Sequence, residues 1–357
     1  MFKSKIQTEM INMFSFEEIM TPVWDTDIVY GESLTFIKEN GVAKAPLMFS
    51  ADEILKVESA NMLHVYEEGV DYTLENNHIV LTPESKIFSF EYEDIYFKEK
   101  GDKPCFKEQS GGYILFHEGH FFHDRQVAVT YKCKKGQWEG IKPAFASNLK
   151  KTYKKLTQDK NLRVTLFGDS ISAGANASGR TIQTPFQPSY GYLVAEALRR
   201  HYDANVTFEN PSVGGMNSGW GVRTAKERVC STNPDLVIIA FGMNDRCQGD
   251  EHREIIAEIR RIILENNPEC EFIIVSTSLP NSILTTEENW FWRYQYQYYE
   301  ALLPLECEGT QVANIRDMQL EALKTKRFID MTGNNVNHPN DFFQRMYAQF
   351  ISQMLIK

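Results

Sequence analysis

The 357-residue sequence contains no apolar run approaching the roughly 18 residues that a membrane-crossing helix requires. It has no surplus of positive charge: 38 Lys and Arg against 48 Asp and Glu give a net charge of −10 and an isoelectric point near 5.4. A nucleic-acid binder normally shows a basic face, so that class is disfavoured. Cysteine is sparse, with six residues at 105, 133, 230, 247, 270 and 307 and no Cys-x-x-Cys pair. That scatter predicts reduced thiols, not a disulfide framework. Residues 1–10 lack the apolar core of about 7–15 residues that marks a signal peptide, which predicts a cytoplasmic address. Repeats and low-complexity segments are also missing. What is left has the balance of an ordinary globular chain, 42% hydrophobic and 24% charged. Its length exceeds one typical core and predicts two domains.

The pattern changes along the chain. From about 25 to 135 the apolar runs are short, alternating and aromatic, as at 62–66, 78–81, 87–92, 113–116 and 127–131, and turn residues separate several of them. Such spacing predicts an all-β sandwich or jelly-roll domain over 1–150. Residues 151–160 are lysine-rich and read as a solvated, partly helical linker. Over 161–357 strands and helices alternate. Strands are predicted at 162–167, 206–209, 236–241, 272–277 and 311–315, with helices at 190–202, 251–265, 287–303, 317–326 and 341–355. This α/β rhythm predicts a parallel sheet covered by helices on both faces.

Gly168-Asp169-Ser170 directly follows the first of those strands. In an open α/β sheet the carboxyl ends of the strands border a crevice where active sites form. Gly214-Gly215 and Gly242-Met243-Asn244-Asp245 follow later strands, and right-handed crossovers bring all three turns to one edge. A serine hydroxyl there needs a base to become a nucleophile. His338 is the candidate base, because imidazole exchanges protons near neutral pH. The N–H groups of Ser170 and Gly215 and the side-chain amide of Asn244 are candidate donors to an oxyanion. No Gly-x-Ser-x-Gly elbow surrounds Ser170, which disfavours an α/β-hydrolase.

Four blocks carry a resemblance: Gly168-Asp-Ser170, Asn210-Pro-Ser-Val-Gly-Gly215, Gly242-Met-Asn-Asp245 and His338-Pro339. Together they resemble the SGNH (GDSL) hydrolase superfamily over about 162–357. The resemblance implies a three-layer α/β/α flavodoxin-like domain, hydrolysis of carboxylic esters and Gly215, not Gly214, as the oxyanion glycine. It departs at one place. The superfamily commonly carries Asp three residues before the histidine, whereas this chain has Asn335. An asparagine oxygen can still accept a bond from the imidazole, so Asn335 is taken as the third catalytic residue. A backbone carbonyl, Asp330 or Asp341 are the alternatives.

A β-domain ahead of such a hydrolase resembles carbohydrate acetyl esterases, including family-two carbohydrate esterases. The expected function is removal of acetyl or another short acyl group from a sugar hydroxyl, without metal or organic cofactor. Two rivals are a lipid or thioester hydrolase using the same residues, and a carbohydrate-binding protein whose hydrolase has lapsed. Partners other than a small acylated ester, namely nucleic acid or membrane, are not expected; a homo-oligomer is compatible with the sequence. Gly174–Thr181 nearly spells a phosphate loop, but Arg180 stands where lysine is needed. His117, His120 and His123 read as surface and interdomain histidines in preference to metal ligands. In the aromatic stretch 290–299, Trp292, Tyr296 and Tyr299 are expected to pack inward from a helix. The other rings are left for a subunit contact or a sugar face.

Overall fold

The computed structural model describes residues 14–286 and 289–357. The segment 1–10 and the first two residues of the helix predicted from 287 therefore lie outside the described residues, as do the side chains of Trp290 and Phe291. The chain is mixed α/β, with mainly antiparallel sheets followed by a parallel one. In the first part, Ile28–Thr35, Gln126–Cys133, Ala51–Ser59 and Val65–Tyr66 form an antiparallel sheet in that spatial order. Facing it, Tyr72–Glu75, His78–Leu81, Val42–Pro46, Ile37–Glu39 and Phe90–Glu91 form a second sheet, whose last pair is parallel. Leu34, Val57, Val129 and Tyr131 from the first sheet share a buried cluster with Ala43, Ala45 and Ile79 from the second. That is the inner layer of a sandwich. A small third sheet of Cys105–Lys107, Tyr113–Leu115 and Tyr96–Phe97 leads into the loop 116–125.

The parallel sheet has five strands: β1 (Asn161–Gly168), β2 (Asn205–Glu209), β3 (Leu236–Ala240), β4 (Glu271–Val275) and β5 (Thr310–Ala313). Their spatial order is 2-1-3-4-5, the flavodoxin-like winding, which places a switch point between β1 and β3. Side chains alternate between the faces of a strand, and burial follows that period. Leu236, Ile238, Ile273 and Val275 join one apolar cluster, while Val237, Ile239, Phe272 and Ile274 join another. Helices α2 (Tyr190–Tyr202) and α6 (Asp341–Leu355) belong to the first layer. Helices α3 (Ser218–Arg228) and α4 (Gly249–Asn266) belong to the second.

The residues predicted as a linker form helix α1 (Lys150–Thr157). Thr152 and Leu156 are buried, and Glu271 of β4 accepts hydrogen bonds from the Lys151 and Thr152 N–H groups. Its lysines do face outward, toward Glu308, Glu269, Asp159 and Asp235. α5 spans Ile315–Ala322.

The predicted 287–303 helix differs in the structure. Two 3₁₀ turns, Trp290–Arg293 and Gln295–Gln297, precede a short helix at Tyr298–Leu302. Aromatic residues are weak helix formers, and a tertiary demand overrides the pattern. Buried Gln295 donates its amide to the carbonyls of Gly242, Met243 and Asp245. The changed phase buries Trp292 and Tyr298 but leaves Tyr296 56% exposed, against the expectation for that ring.

All six cysteines are free thiols. The three histidines of 117–123 go to separate partners: His117 stacks on Phe121, His120 meets Asp124, and His123 reaches the Thr184 carbonyl. Among the described residues no helix is long and apolar enough to cross a membrane.

Candidate active site

Hydrogen bonds tie three sheet-edge turns together. The Gly168 N–H donates to Ser212 Oγ at 2.9 Å, Val213 N–H donates to the Gly168 carbonyl at 3.2 Å, and Asn210 Nδ2 donates to the Ser172 carbonyl at 2.8 Å. The turn after β2 is thereby laced to the turn after β1. A Cβ placed on Gly214 would come within 3.8 Å of Ser170 Cβ, so the Gly214-Gly215 corner abuts the serine. Gly215 has φ +77°, a left-handed conformation suited to glycine, with open space where a side chain would project. Across the switch point, Gly168 pairs with Ala240 of β3. The turn beyond β3 carries Asn244, whose amide donates to the Met216 carbonyl at 3.1 Å. Neither the Ser170 nor the Gly215 N–H has a backbone acceptor among the described residues.

Ser170 and His338 are brought together. Serine Oγ lies 2.9 Å from His338 Nε2, and both residues are largely buried, at 7% and 9% exposed. His338 sits on a loop shaped by Asn334, whose side-chain oxygen accepts from the N–H groups of Val336, Asn337 and His338. Thr332 Oγ1 closes that loop by donating to the His338 carbonyl. Such side-chain-to-backbone bonds are how asparagine organises turns.

Asn335 does not face the imidazole. Its Nδ2 donates to the Leu115 carbonyl at 3.0 Å, and its Oδ1 has no partner. Its side chain is spent holding the loop against the third sheet. Asp330 receives the Thr35 N–H and the Arg327 guanidinium, and Asp341 receives the Ser178 N–H. Both alternative carboxylates are therefore engaged elsewhere.

What meets His338 Nδ1 is Asn176 Oδ1, at 2.7 Å, with Glu118 Oε2 at 3.3 Å. Asn176 Nδ2 donates to the Gly119 and Gly333 carbonyls, which turns its oxygen toward the ring. An acceptor at Nδ1 fixes the proton there and leaves Nε2 with its lone pair aimed at the serine hydroxyl. Burial pushes the Glu118 carboxyl up, but hydrogen bonding and attraction to His338, with bonds from Asn334 and Asn176, outweigh it. The net result lies below the ordinary carboxylate range, so Glu118 is negatively charged near neutral pH.

Neither residue has a sequence signal. Glu118 lies 220 positions from its histidine, in the loop following the third sheet. Asn176 sits in the glycine-bearing loop that resembles a phosphate loop.

One further group borders the serine. Asp169 is fully buried, and burial together with the Asp245 charge pushes its carboxyl up to about 7, although bonds from the Ile171 and Met243 N–H groups and the nearby His338 pull the other way.

Residues 166–345 match the GDSL-like Lipase/Acylhydrolase family. The chain belongs to that family. It is a carboxylic ester hydrolase of the SGNH type, as the four sequence blocks imply. An arylesterase of Vibrio mimicus is 27% identical over 196 residues, covering 55% of this chain and 88% of that one. Among solved structures, a two-domain esterase (CEX) active on acetylated mannans aligns at 20% identity and TM-score 0.47 over 60% of this chain. The alignment spans only about half of that esterase, 54%. Axe2, an acetylxylan esterase from Geobacillus stearothermophilus, aligns at 18% identity and TM-score 0.44, over 55% of this chain and 95% of its own.

Proposed function

We propose that this family member is a serine esterase that removes acetyl or another short acyl group from carbohydrate hydroxyls through an acyl-enzyme on Ser170. The observation that carries the reading is the Ser170 Oγ–His338 Nε2 contact, with the opposite ring nitrogen bound by Asn176 and Glu118. As Ser170 attacks the ester carbonyl, Nε2 takes the hydroxyl proton and later returns it to the leaving alcohol. The imidazolium formed in between is stabilised by the Glu118 charge and the Asn176 oxygen. Developing charge on the carbonyl oxygen falls to the Ser170 and Gly215 N–H groups and the Asn244 amide. Removing one such donor costs about 3–4 kcal/mol of transition-state stabilisation.

Two features support a short acyl group and a polar leaving group. One cavity, about 1050 Å³, runs between 279–285 and 320–329 and is not lined by Ser170, His338 or Asn244. A long acyl chain at Ser170 gains nothing from that volume. The groups around His338 are polar: Glu118, Asn176, Asn334 and Asn337. We further take 1–150 as the β-domain and 161–357 as the hydrolase, with 151–160 between them.

Acetate release from acetylated mono- and disaccharides, followed with native protein and Ser170→Ala, tests the reading. Release that depends on Ser170 and exceeds turnover of long-chain fatty esters is expected. Preference for the fatty esters would overturn the carbohydrate assignment, and Ser170-independent release would overturn the acyl-enzyme.

A further inference from the structure

Behind the Asn244 turn lies a group of side chains that ester cleavage does not use. Asp245 ends the turn, Cys247 follows two residues later, and His252 projects from the first turns of α4. One ligand atom from each lies within 4.8 Å of the others. His252 is completely buried and stacks on Tyr298, with ring centroids 4.0 Å apart, yet neither of its ring nitrogens has a hydrogen-bond partner. An unsatisfied buried polar group is costly, and a native structure rarely keeps one without a reason. Its Nδ1 stands 3.8 Å from Asp245 Oδ1, too far for a hydrogen bond.

We infer that Asp245, Cys247 and His252 form a zinc site. The donor set decides the ion. One sulfur, one imidazole nitrogen and one carboxylate suit zinc, whereas calcium and magnesium favour all-oxygen cages. Asp245 retains capacity for a cation. Ser218 N–H and Oγ both bond to its Oδ1, while Oδ2 receives only the longer 3.3 Å approach of the Ser218 N–H. Cys247 is partly exposed, giving a route in.

The ion plays no part in the reaction. It pins the turn that carries Asn244 to the start of α4, complementing the Gln295 amide on the other side of the same turn.

The test uses the full chain stripped of metal with a chelator, then titrated with zinc against a chromogenic competitor and separately with cobalt(II). One equivalent of zinc, a higher melting temperature on binding and a thiolate-to-cobalt charge-transfer band are expected. Cys247→Ser should abolish the band, and His252→Ala should abolish the one-equivalent uptake. Lack of stoichiometric uptake by the native chain would overturn the inference, as would uptake that survives in both variants. If a variant does not fold, the native cobalt spectrum decides alone: without a thiolate band the site does not exist. The readouts are independent of ester hydrolysis, so failure of the esterase reading leaves this one standing.

Discussion

Asn176 and Asn335 offer a matched pair for asking which asparagine orients His338. Both are buried, at 4% and 0% exposure, and both are left-handed, with φ of 62° and 65°. Glycine accepts that backbone without strain, so Asn176→Gly and Asn335→Gly each remove a side chain without straining the backbone. The losses differ in kind. Asn335→Gly forfeits a neutral bond to the Leu115 carbonyl, worth about 1 kcal/mol of stability. Asn176→Gly forfeits the 2.7 Å acceptor of an imidazole that becomes cationic in the transition state. A hydrogen bond to a charged group is worth about 1.5–3 kcal/mol, which corresponds to a fall in kcat of about 10–150-fold. Glu118→Gln should cost less, because its contact is 3.3 Å and its side chain is half exposed. The double variant Asn176→Gly/Glu118→Gln should fall further than either. The assay is steady-state hydrolysis of p-nitrophenyl acetate, with circular dichroism confirming the fold. If Asn335→Gly lowered kcat a hundredfold in a folded protein while Asn176→Gly stayed within threefold of native, the assignment of the orienting residue would be wrong.

Asp169 makes a pH prediction. Its folded-state carboxyl is raised to about 7 from an ordinary 3.8, so the folded state holds a proton that the unfolded chain releases at lower pH. Stability from this group is therefore present at low pH and lost as pH rises through 7, by up to about 4 kcal/mol. The melting temperature of native protein should fall relative to Asp169→Asn between pH 5 and 8, and a constant difference would contradict this. Lys326 and Glu32 form a completely buried pair, with Glu32 also accepting from Tyr131 and the Met48 N–H. Lys326→Met should cost about 3–5 kcal/mol by stranding the carboxylate, and adding Glu32→Gln should recover much of it in denaturant titrations.

The parallel sheet was readable because its strands are continuous β-branched and apolar runs. Leu236–Ala240 and Glu271–Val275 lie within two residues of the ranges expected from sequence. Helix α3 was not visible, since Ser218-Gly-Trp-Gly221 has the composition of a loop. Gly221 is there because a Cβ would lie 2.8 Å from Ile259 and 2.9 Å from Phe241, so the helix needs its absence to approach α4. At the proposed site, Ser170, Gly215, Asn244 and His338 could be nominated from sequence because each sits in a local motif at a strand end or near the chain's close. Asn176 and Glu118 were not, because what selects them is contact between distant segments. The expected role of Asn335 failed for a related reason: spacing along the chain does not reveal which way a side chain turns, and a left-handed backbone directs this one to Leu115.

The most direct test of the account is a comparison of initial rates on p-nitrophenyl acetate, butyrate and octanoate for native protein and Ser170→Ala. The account predicts turnover that is highest on acetate, declines steeply with acyl length and disappears in the variant. Rates that rise toward octanoate, or that persist without the Ser170 hydroxyl, would contradict it.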